Sequence, residues 1–286
     1  MWIAFAVLSA FFAGITAILS KIGIKSINSD LGTAIRTVVV FAFAWLMVFV
    51  AGVQGEIMTV KTKTLVFLIM SGFATGASWL CYFKALKYGD VNKVAPIDKS
   101  STILTILLAF VFLREKITPL KILCVILIAS GTYLMIEKRD TVTDSQKRPN
   151  WFILAVMSAI FAALASILGK IGISDIDSTL GTAIRTSVVL VMAWVIVKIK
   201  DGTKDTKNIN AKTSFYLVIS GVTTGLSWLC YYRALRDGPA SIVVPIDKLS
   251  ILVTIAFSYI VFKEKLTKKA TLGLILLVGG TLLLLL

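Results

Sequence analysis

The chain has 286 residues, of which 57% are hydrophobic and 16% are charged, and its mean hydropathy is +0.90. Soluble domains average about 45–50% apolar and about 25% charged residues, so this composition excludes a disordered or disulfide-stapled secreted protein and disfavours a soluble enzyme. The net charge is +15, but almost every basic residue lies between apolar runs, as in membrane proteins, so no nucleic-acid partner is expected.

Ten apolar runs follow one another along the chain, five in each half. Each could cross about 30 Å of hydrocarbon at about 1.5 Å per residue, and none shows the alternation of a β-barrel, so all-α spanning helices are expected. The predicted spans are residues 2–20, 31–51, 64–83, 94–113, 119–136, 151–169, 180–197, 213–232, 243–262 and 270–286. Together they leave no room for a soluble domain.

The first half of the sequence returns in the second half at a constant offset of 149 residues. LGTAIRT at 31–37 recurs unchanged at 180–186, and SGFATGASWLCYFKAL at 71–86 recurs as SGVTTGLSWLCYYRAL at 220–235, with eleven of sixteen positions identical. Because five spans per unit is an odd number, the second unit must enter the membrane from the opposite face. Inverted repeats are a recurring plan of secondary transporters, whose substrate site lies between the repeats.

The repeat also predicts the domain organisation. A first five-helix repeat occupies residues 1–140, a polar linker occupies 141–150, and a second five-helix repeat occupies 151–286. In both repeats a GxxxG pair in the third span predicts close helix packing. The two pairs are Gly72 with Gly76 and Gly221 with Gly225.

Six charged residues fall inside the predicted spans and cannot be assigned to a helix end, and each would cost about 2.5–3.5 kcal/mol at the bilayer centre if it were unpaired. They are Arg36, Asp98, Lys99, Arg185, Asp247 and Lys248. Counting from the span starts places the three of the first half about 6–8 Å below one surface and the other three equally deep below the other. The sequence therefore predicts two charged layers about 15 Å apart.

Two interpretations of these charges stay open. In the structural one, Pro96 and Pro245 fit first helical turns, Asp98 and Asp247 favour the positive helix ends, and an Arg–Asp pair locks the second span to the fourth. In the functional one, the charges line a cavity and act in substrate binding or gating. Four cations against two anions favour an anionic or zwitterionic substrate, and protonation of either aspartate would couple transport to protons.

The remaining candidate residues have milder interpretations. Four aromatic residues of the repeated SWLCY segment are predicted to form an interfacial belt, with aromatic walls around a substrate as the alternative. They are Trp79, Tyr82, Trp228 and Tyr231. Lys21 and Lys170 are predicted to be snorkelling anchors, and the turns REKIT at 114–118 and KEKLT at 263–267 are predicted to be solvated.

The sequence offers no catalytic or metal chemistry. It contains no histidine, and its three cysteines lie in apolar runs without CxxC spacing, so no metal, cofactor or disulfide is predicted. An enzyme would need a nucleophile, a base or a metal set, and none is recognisable. The expected partners are therefore membrane lipid, a small-molecule substrate and protons, with no oligomer required.

The repeated motifs resemble a known family. Two five-helix units ending in LREKIT and FKEKLT, followed by a Gly-Thr-containing last helix, resemble the EamA group of the drug/metabolite transporter superfamily. LGTAIRT and PIDK look closer still to a branch of predicted five-helix membrane proteins, here fused head to tail. The resemblance covers essentially the whole chain and implies a ten-helix exporter of amino acids or other metabolites. The essential carboxylate of the small multidrug branch has no counterpart in the first or sixth span.

The sequence thus predicts a multi-pass secondary transporter, an exporter, in the cytoplasmic membrane of a bacterium or archaeon. A flippase for a lipid-linked anionic head group and a non-transporting scaffold are the alternatives. Orientation is contested, because 8 basic residues lie on the side of the termini and 18 on the other, which predicts external termini. The resemblance implies cytoplasmic ones.

Overall fold

The structure is a computed structural model that describes residues 1–23, 27–88, 97–98, 100–116, 118–135, 150–199, 209–262 and 267–285. Within these ranges it is helical, without strands. The helices of the first half are α1 (Trp2–Gly23), α2 (Ser29–Val50), α3 (Thr62–Tyr88), α4 (Ser101–Leu113) and α5 (Pro119–Leu134), with a 3-10 helix at Gln54–Thr59. Those of the second half are α6 (Trp151–Ile173), α7 (Ser178–Ile199), α8 (Ala211–Asp237), α9 (Ala240–Lys248), α10 (Ser250–Phe262) and α11 (Lys268–Leu283).

Each of the ten predicted spans contains a helix, and the ninth span is made of α9 and α10. Seven helical stretches of the described residues are long and apolar enough to cross a membrane. The protein is therefore an all-α polytopic membrane protein of ten spanning segments, arranged as two inverted five-helix repeats.

Short polar residues fix where several helices begin. The side chains of Asn28, Thr118, Asn150, Asn210 and Thr267 each accept a hydrogen bond from a backbone N–H two or three residues further on. Such N-caps satisfy amide donors that the first helical turn leaves without a partner. Each cap therefore fixes the residue at which its helix begins.

The ninth span is broken within the membrane. A turn at Leu249 separates α9 from α10, and Pro245 lies inside α9. Because proline lacks a backbone N–H and crowds the preceding turn, it weakens helix continuity at this point. The break directly follows Asp247 and Lys248, so the chain is irregular beside two of the predicted charges.

The beginning of α9 depends on a residue from the other repeat. The Glu115 carboxylate accepts hydrogen bonds from the backbone N–H groups of Ala240 at 2.7 Å and Ser241 at 3.1 Å. α9 consequently begins three residues before the predicted span start at 243. Asp247 is the eighth residue of α9, which places it about 10 Å from the start of the helix rather than in its first turn.

The two repeats pack with matching contacts. α3 packs along α6 as α1 packs along α8, and α3 meets α7 as α2 meets α8. At these crossings a Cβ on Gly72 would meet Val188, and a Cβ on Gly221 would meet Val39. Only glycine allows this approach, so the predicted close packing at both positions is confirmed.

The membrane faces can be named from the helix order. The face where α1 begins and α11 ends is called the terminal side. It also carries the 3-10 helix, Glu115 and the junction between α8 and α9. We call the opposite side the one where α2, α6 and α8 begin.

Candidate functional site

A cavity of about 390 Å³ lies between the two repeats. Its charged lining residues are Arg36, Asp98 and Lys248, and its aromatic ones are Trp79, Tyr82 and Trp228. Small or hydroxyl-bearing residues complete the lining: Thr33, Thr37, Val40, Ser78, Ala162 and Thr224. Both repeats contribute, as expected for a site at a repeat interface.

Arg36 reaches across the interface from α2. Its Nη2 donates to Thr224 Oγ1 at 2.9 Å, and its Nε is buried without a partner among the described residues. No carboxylate in the described part of the chain lies within ion-pair distance of it. Arg36 therefore lines the cavity without an ion-pair partner among the described residues, and a ligand anion could take that place.

Arg185 is the counterpart of Arg36 in the second repeat but is 5% exposed. It donates from Nε to Ser71 Oγ at 2.9 Å and from Nη2 to Thr75 Oγ1. Its guanidinium carbon lies 5.1 Å from the ring centre of Trp228 and 4.7 Å from that of Tyr232. These contacts define what we call the arginine cage: two hydroxyls and two aromatic rings around one cation.

The two aspartates hydrogen-bond to serines of the other repeat. Ser158 donates to Asp98 at 2.7 Å, and Ser9 donates to Asp247 at 2.6 Å. Among the described residues neither aspartate forms an ion pair within 4.0 Å with an arginine. The Arg–Asp pair considered from the sequence is therefore wrong, and each aspartate instead ties the fourth span of one repeat to the first span of the other.

The predicted separation into two charged layers is wrong for Lys248. Lys248 belongs to the second repeat, yet it lines the same cavity as Arg36 and Asp98. Because α9 begins three residues before the predicted span start, Lys248 lies further along its helix than the expected 6–8 Å. Lys99 lies outside the described residues.

The aromatic residues do not form a belt. α3 and α8 continue to Tyr88 and Asp237, so Trp79 and Trp228 are mid-helix residues, with ring centres 6.2 Å apart. With Tyr82 they line the cavity, which favours the alternative of aromatic walls. Tyr231 instead donates its hydroxyl to Ser166 at 3.0 Å and is not among the lining residues.

Comparison with known proteins places the chain in a family. The model of the EamA-like transporter family matches residues 1–137 and 149–286. The chain belongs to this family.

The relatives of this EamA-like chain agree with the assignment. An uncharacterized transporter from the cobO 3' region of a Sinorhizobium species is 43% identical over 134 residues, which are 47% of this chain and 95% of the relative. An uncharacterized Bacillus subtilis transporter, YxxF, is 23% identical over 83% of this chain and 74% of its own length. A solved crystal structure matches with a TM-score of 0.79 over 98% of both chains at 14% identity, which shows the fold alone. The EamA-like chain is thus a multi-pass membrane transporter.

Equivalent residues on the two sides of this EamA-like transporter differ in exposure. Thr33 and Arg36 line the cavity and are partly exposed, whereas their counterparts Thr182 and Arg185 are 1% and 5% exposed. Thr33 lies in the second turn of α2, close to the opposite side. The described residues therefore show a cavity on the opposite side and tight packing at the matching positions of the terminal side.

Sequence reasoning missed the contacts that hold the terminal side together. Lys170 donates to the carbonyls of Leu235 and Gly238 and lies 4.0 Å from Glu115. Lys170 is therefore not a snorkelling anchor. The turn that carries Glu115 is not solvated at this residue, because the Glu115 side chain is only 13% exposed. We call these residues, with the α9 start they hold, the terminal clamp. In the sequence, Glu264 and Lys21 are the equivalents of Glu115 and Lys170 at the offset of 149. This recurrence of the Glu and Lys positions was the sequence signal that could have indicated the contact.

Proposed function

We propose that this transporter moves small polar metabolites, anionic or zwitterionic, by alternating access between its inverted repeats. The observation that carries the proposal is the difference between equivalent residues: Arg36 lines a cavity, whereas Arg185 is enclosed. In two repeats that share the LGTAIRT segment around these arginines, such a difference is the expected mark of one state of an alternating pair. Exchange of the two arrangements would expose the site to the other side.

The chemistry of the cavity supports the substrate class. Arg36 and Lys248 supply two cations, and Asp98 supplies one anion. A ligand carrying a carboxylate or phosphate, with or without an amine, would complement this set. The cavity volume is about 390 Å³. Small-molecule sites span about 300–1,000 Å³, so this cavity is near the lower end of that range. Its size favours a metabolite over a large lipid head group as the substrate.

The proposed residue roles keep the charged set predicted from the sequence. Substrate binding or gating falls to Arg36, Asp98, Arg185, Asp247 and Lys248, and also to Lys99, which lies outside the described residues. We assign the cavity walls to Trp79, Tyr82 and Trp228 and not to Tyr231. Asp98 and Asp247 are the proposed proton carriers. The proposed direction of transport is export from the cytoplasm across the inner membrane of a bacterium or archaeon. The proposed working unit is a single chain.

A ligand-stabilisation screen in non-ionic detergent tests the proposal. A metabolite present at a hundredfold excess over its Kd raises the unfolding free energy by about 2.7 kcal/mol. We expect an anionic or zwitterionic metabolite to stabilise the wild-type protein but not Arg36→Ala. Arg233→Ala is the matched control, because Arg233 pairs with Asp237 at an exposed position and should leave the response intact.

Other outcomes would select the alternatives. Stabilisation only by a lipid-linked anionic head group would favour the flippase. If no metabolite shifts the unfolding temperature and Arg36→Ala is merely less stable, the charges are helix locks, and the substrate class proposed here is wrong.

A further inference from the structure

Arg185 combines deep burial with an incomplete set of partners. It is 5% exposed, and its Nη1 is buried without a hydrogen-bond partner among the described residues. Its other contacts are two neutral hydroxyls, from Ser71 and Thr75, and two aromatic rings. Among the described residues no carboxylate lies within 4.0 Å of this guanidinium, so the charge is enclosed without a direct ion pair, which is costly for a buried charge.

The comparison with Arg36 shows what changes when a side is open. Arg185 makes both the Nε bond to Ser71 and the Nη2 bond to Thr75, whereas Arg36 keeps only the bond to Thr224, the counterpart of Thr75. The Nε of Arg36 is free in the described part of the chain. The arginine that lines the cavity thus lacks the Nε–serine bond that the enclosed arginine makes.

Trp228 connects the two arginines. Its ring lines the cavity that holds Arg36, and it also lies 5.1 Å from the guanidinium carbon of Arg185. The indole therefore stands between the cavity and the arginine cage. A ligand group moving from one arginine to the other would have to displace this ring, and doing so would remove one wall of the cage.

We propose that Arg185 is a second anion-binding subsite, closed in this conformation, which takes over the anionic group of the substrate when the terminal side opens. This inference rests on the proposed function and adds to it a handover from Arg36 to Arg185. In the opened state Arg185 gives up its Nε bond to Ser71, and the anionic group of the ligand accepts a hydrogen bond from Nη1, which has no partner among the described residues in this conformation. The ligand class is a carboxylate or phosphate ester, which forms strong charge-assisted hydrogen bonds with a guanidinium.

Two engineered cysteines can test the subsite without knowledge of the substrate. Thr182 lies one turn before Arg185, and its counterpart Thr33 lies one turn before Arg36, so each pair shares a helix face. The native cysteines are first replaced by alanine: Cys81, Cys124 and Cys230. Thr182→Cys and Thr33→Cys are then reacted, in non-ionic detergent, with the anionic reagent methanethiosulfonate ethylsulfonate and the cationic reagent methanethiosulfonate ethyltrimethylammonium. The measured quantity is the ratio of the two rates.

At Thr182→Cys we expect slow reaction that prefers the anionic reagent. Arg185→Gln should lower the rate ratio about fivefold or more, the change expected when one unit charge a few ångströms away is lost in a wet cleft. Arg185→Lys should restore most of the ratio, and Arg36→Gln should leave it unchanged. At Thr33→Cys, Arg36→Gln should lower the rate ratio, and Arg185→Gln should leave it unchanged.

The outcomes separate this inference from the proposed function. If Thr182→Cys never reacts while Thr33→Cys does, the terminal side does not open, and both alternating access and the subsite are wrong. If Thr182→Cys reacts but its rate ratio does not change in the Arg185→Gln background, the subsite proposal is wrong and alternating access is unaffected. Circular dichroism of each variant shows whether a lost response reflects unfolding, and Arg185→Lys provides a folded comparison if Arg185→Gln does not fold.

Discussion

The indole rings of Trp79 and Trp228 lie 6.2 Å apart across the interface between the repeats, although 149 residues separate them in sequence. They are equivalent residues of the two repeats, and equivalent residues of inverted repeats meet only on the pseudo-twofold axis. The axis therefore passes through the cavity wall, and both arginines are arranged around it.

Arg185→Met distinguishes a functional arginine from a helix lock. Burying the charge costs several kcal/mol, while its two hydrogen bonds contribute about 1.5–3 kcal/mol each and its ring contacts about 0.5–2 kcal/mol. These contributions nearly cancel, so we expect the unfolding free energy to change by less than about 1 kcal/mol. Vesicle flux of the metabolite that stabilises the wild-type protein should nevertheless be lost.

Arg233→Met is the comparison for that variant, because Arg233 is 45% exposed in its pair with Asp237. It should preserve both stability and flux. A loss of more than about 3 kcal/mol in Arg185→Met, the usual result of breaking a buried pair, would show that Arg185 serves as a lock.

A double-mutant cycle on Ser158 and Asp98 measures the connection between repeats. Ser158 donates to the Asp98 carboxylate at 2.7 Å, and hydrogen bonds to charged groups contribute about 1.5–3 kcal/mol. Ser158→Ala should therefore lower the unfolding free energy by that amount in wild type but much less in the Asp98→Asn background. Ser174→Ala, at an exposed helix end, is the control. Additive effects of the two substitutions would contradict a direct interaction.

Much of the fold could be predicted because its signals are local. Apolar run length predicted the spans, and residues such as Asn150 and Asn210 mark helix starts through bonds only two or three residues long. The constant offset of 149 predicted the inverted repeats. None of these inferences requires knowing which distant residues meet.

The site could be predicted only in part because it depends on distant contacts. The depth of Lys248 depends on where α9 begins, and that start is capped by Glu115 from 125 residues earlier. The depth estimate assumed a helix that begins at the edge of the apolar run, and so it placed Lys248 in the wrong layer. Likewise, the mid-helix position of Trp79 follows from the extension of α3 beyond its apolar run, which hydropathy does not reveal.

Alanine at Gly72 or Gly221 should loosen the contacts between repeats. An added Cβ would lie 2.6 Å from the Cβ of Val188 in the first case and of Val39 in the second. Overpacking of this kind costs about 1–3 kcal/mol, so both variants should unfold at lower temperature. In Gly279→Ala a Cβ would meet nothing within 4 Å, and that variant should be as stable as wild type or slightly more stable. Equal unfolding temperatures for all three would contradict close packing at these crossings.

Removing the terminal clamp should open the terminal side more often. Glu115→Ala deletes both acceptors for the first amides of α9, and a lost N-cap costs about 0.5–2 kcal/mol. If the clamp stabilises only the closed terminal side, a loss of about 1–2 kcal/mol corresponds to about 5–30 times more of the open state. The reaction rate of Thr182→Cys with methanethiosulfonate reagents should rise accordingly, while Lys116→Gln, at an exposed position next to Glu115, should leave it unchanged. A rate that stays constant in Glu115→Ala would mean that the clamp stabilises both states equally and takes no part in the gate.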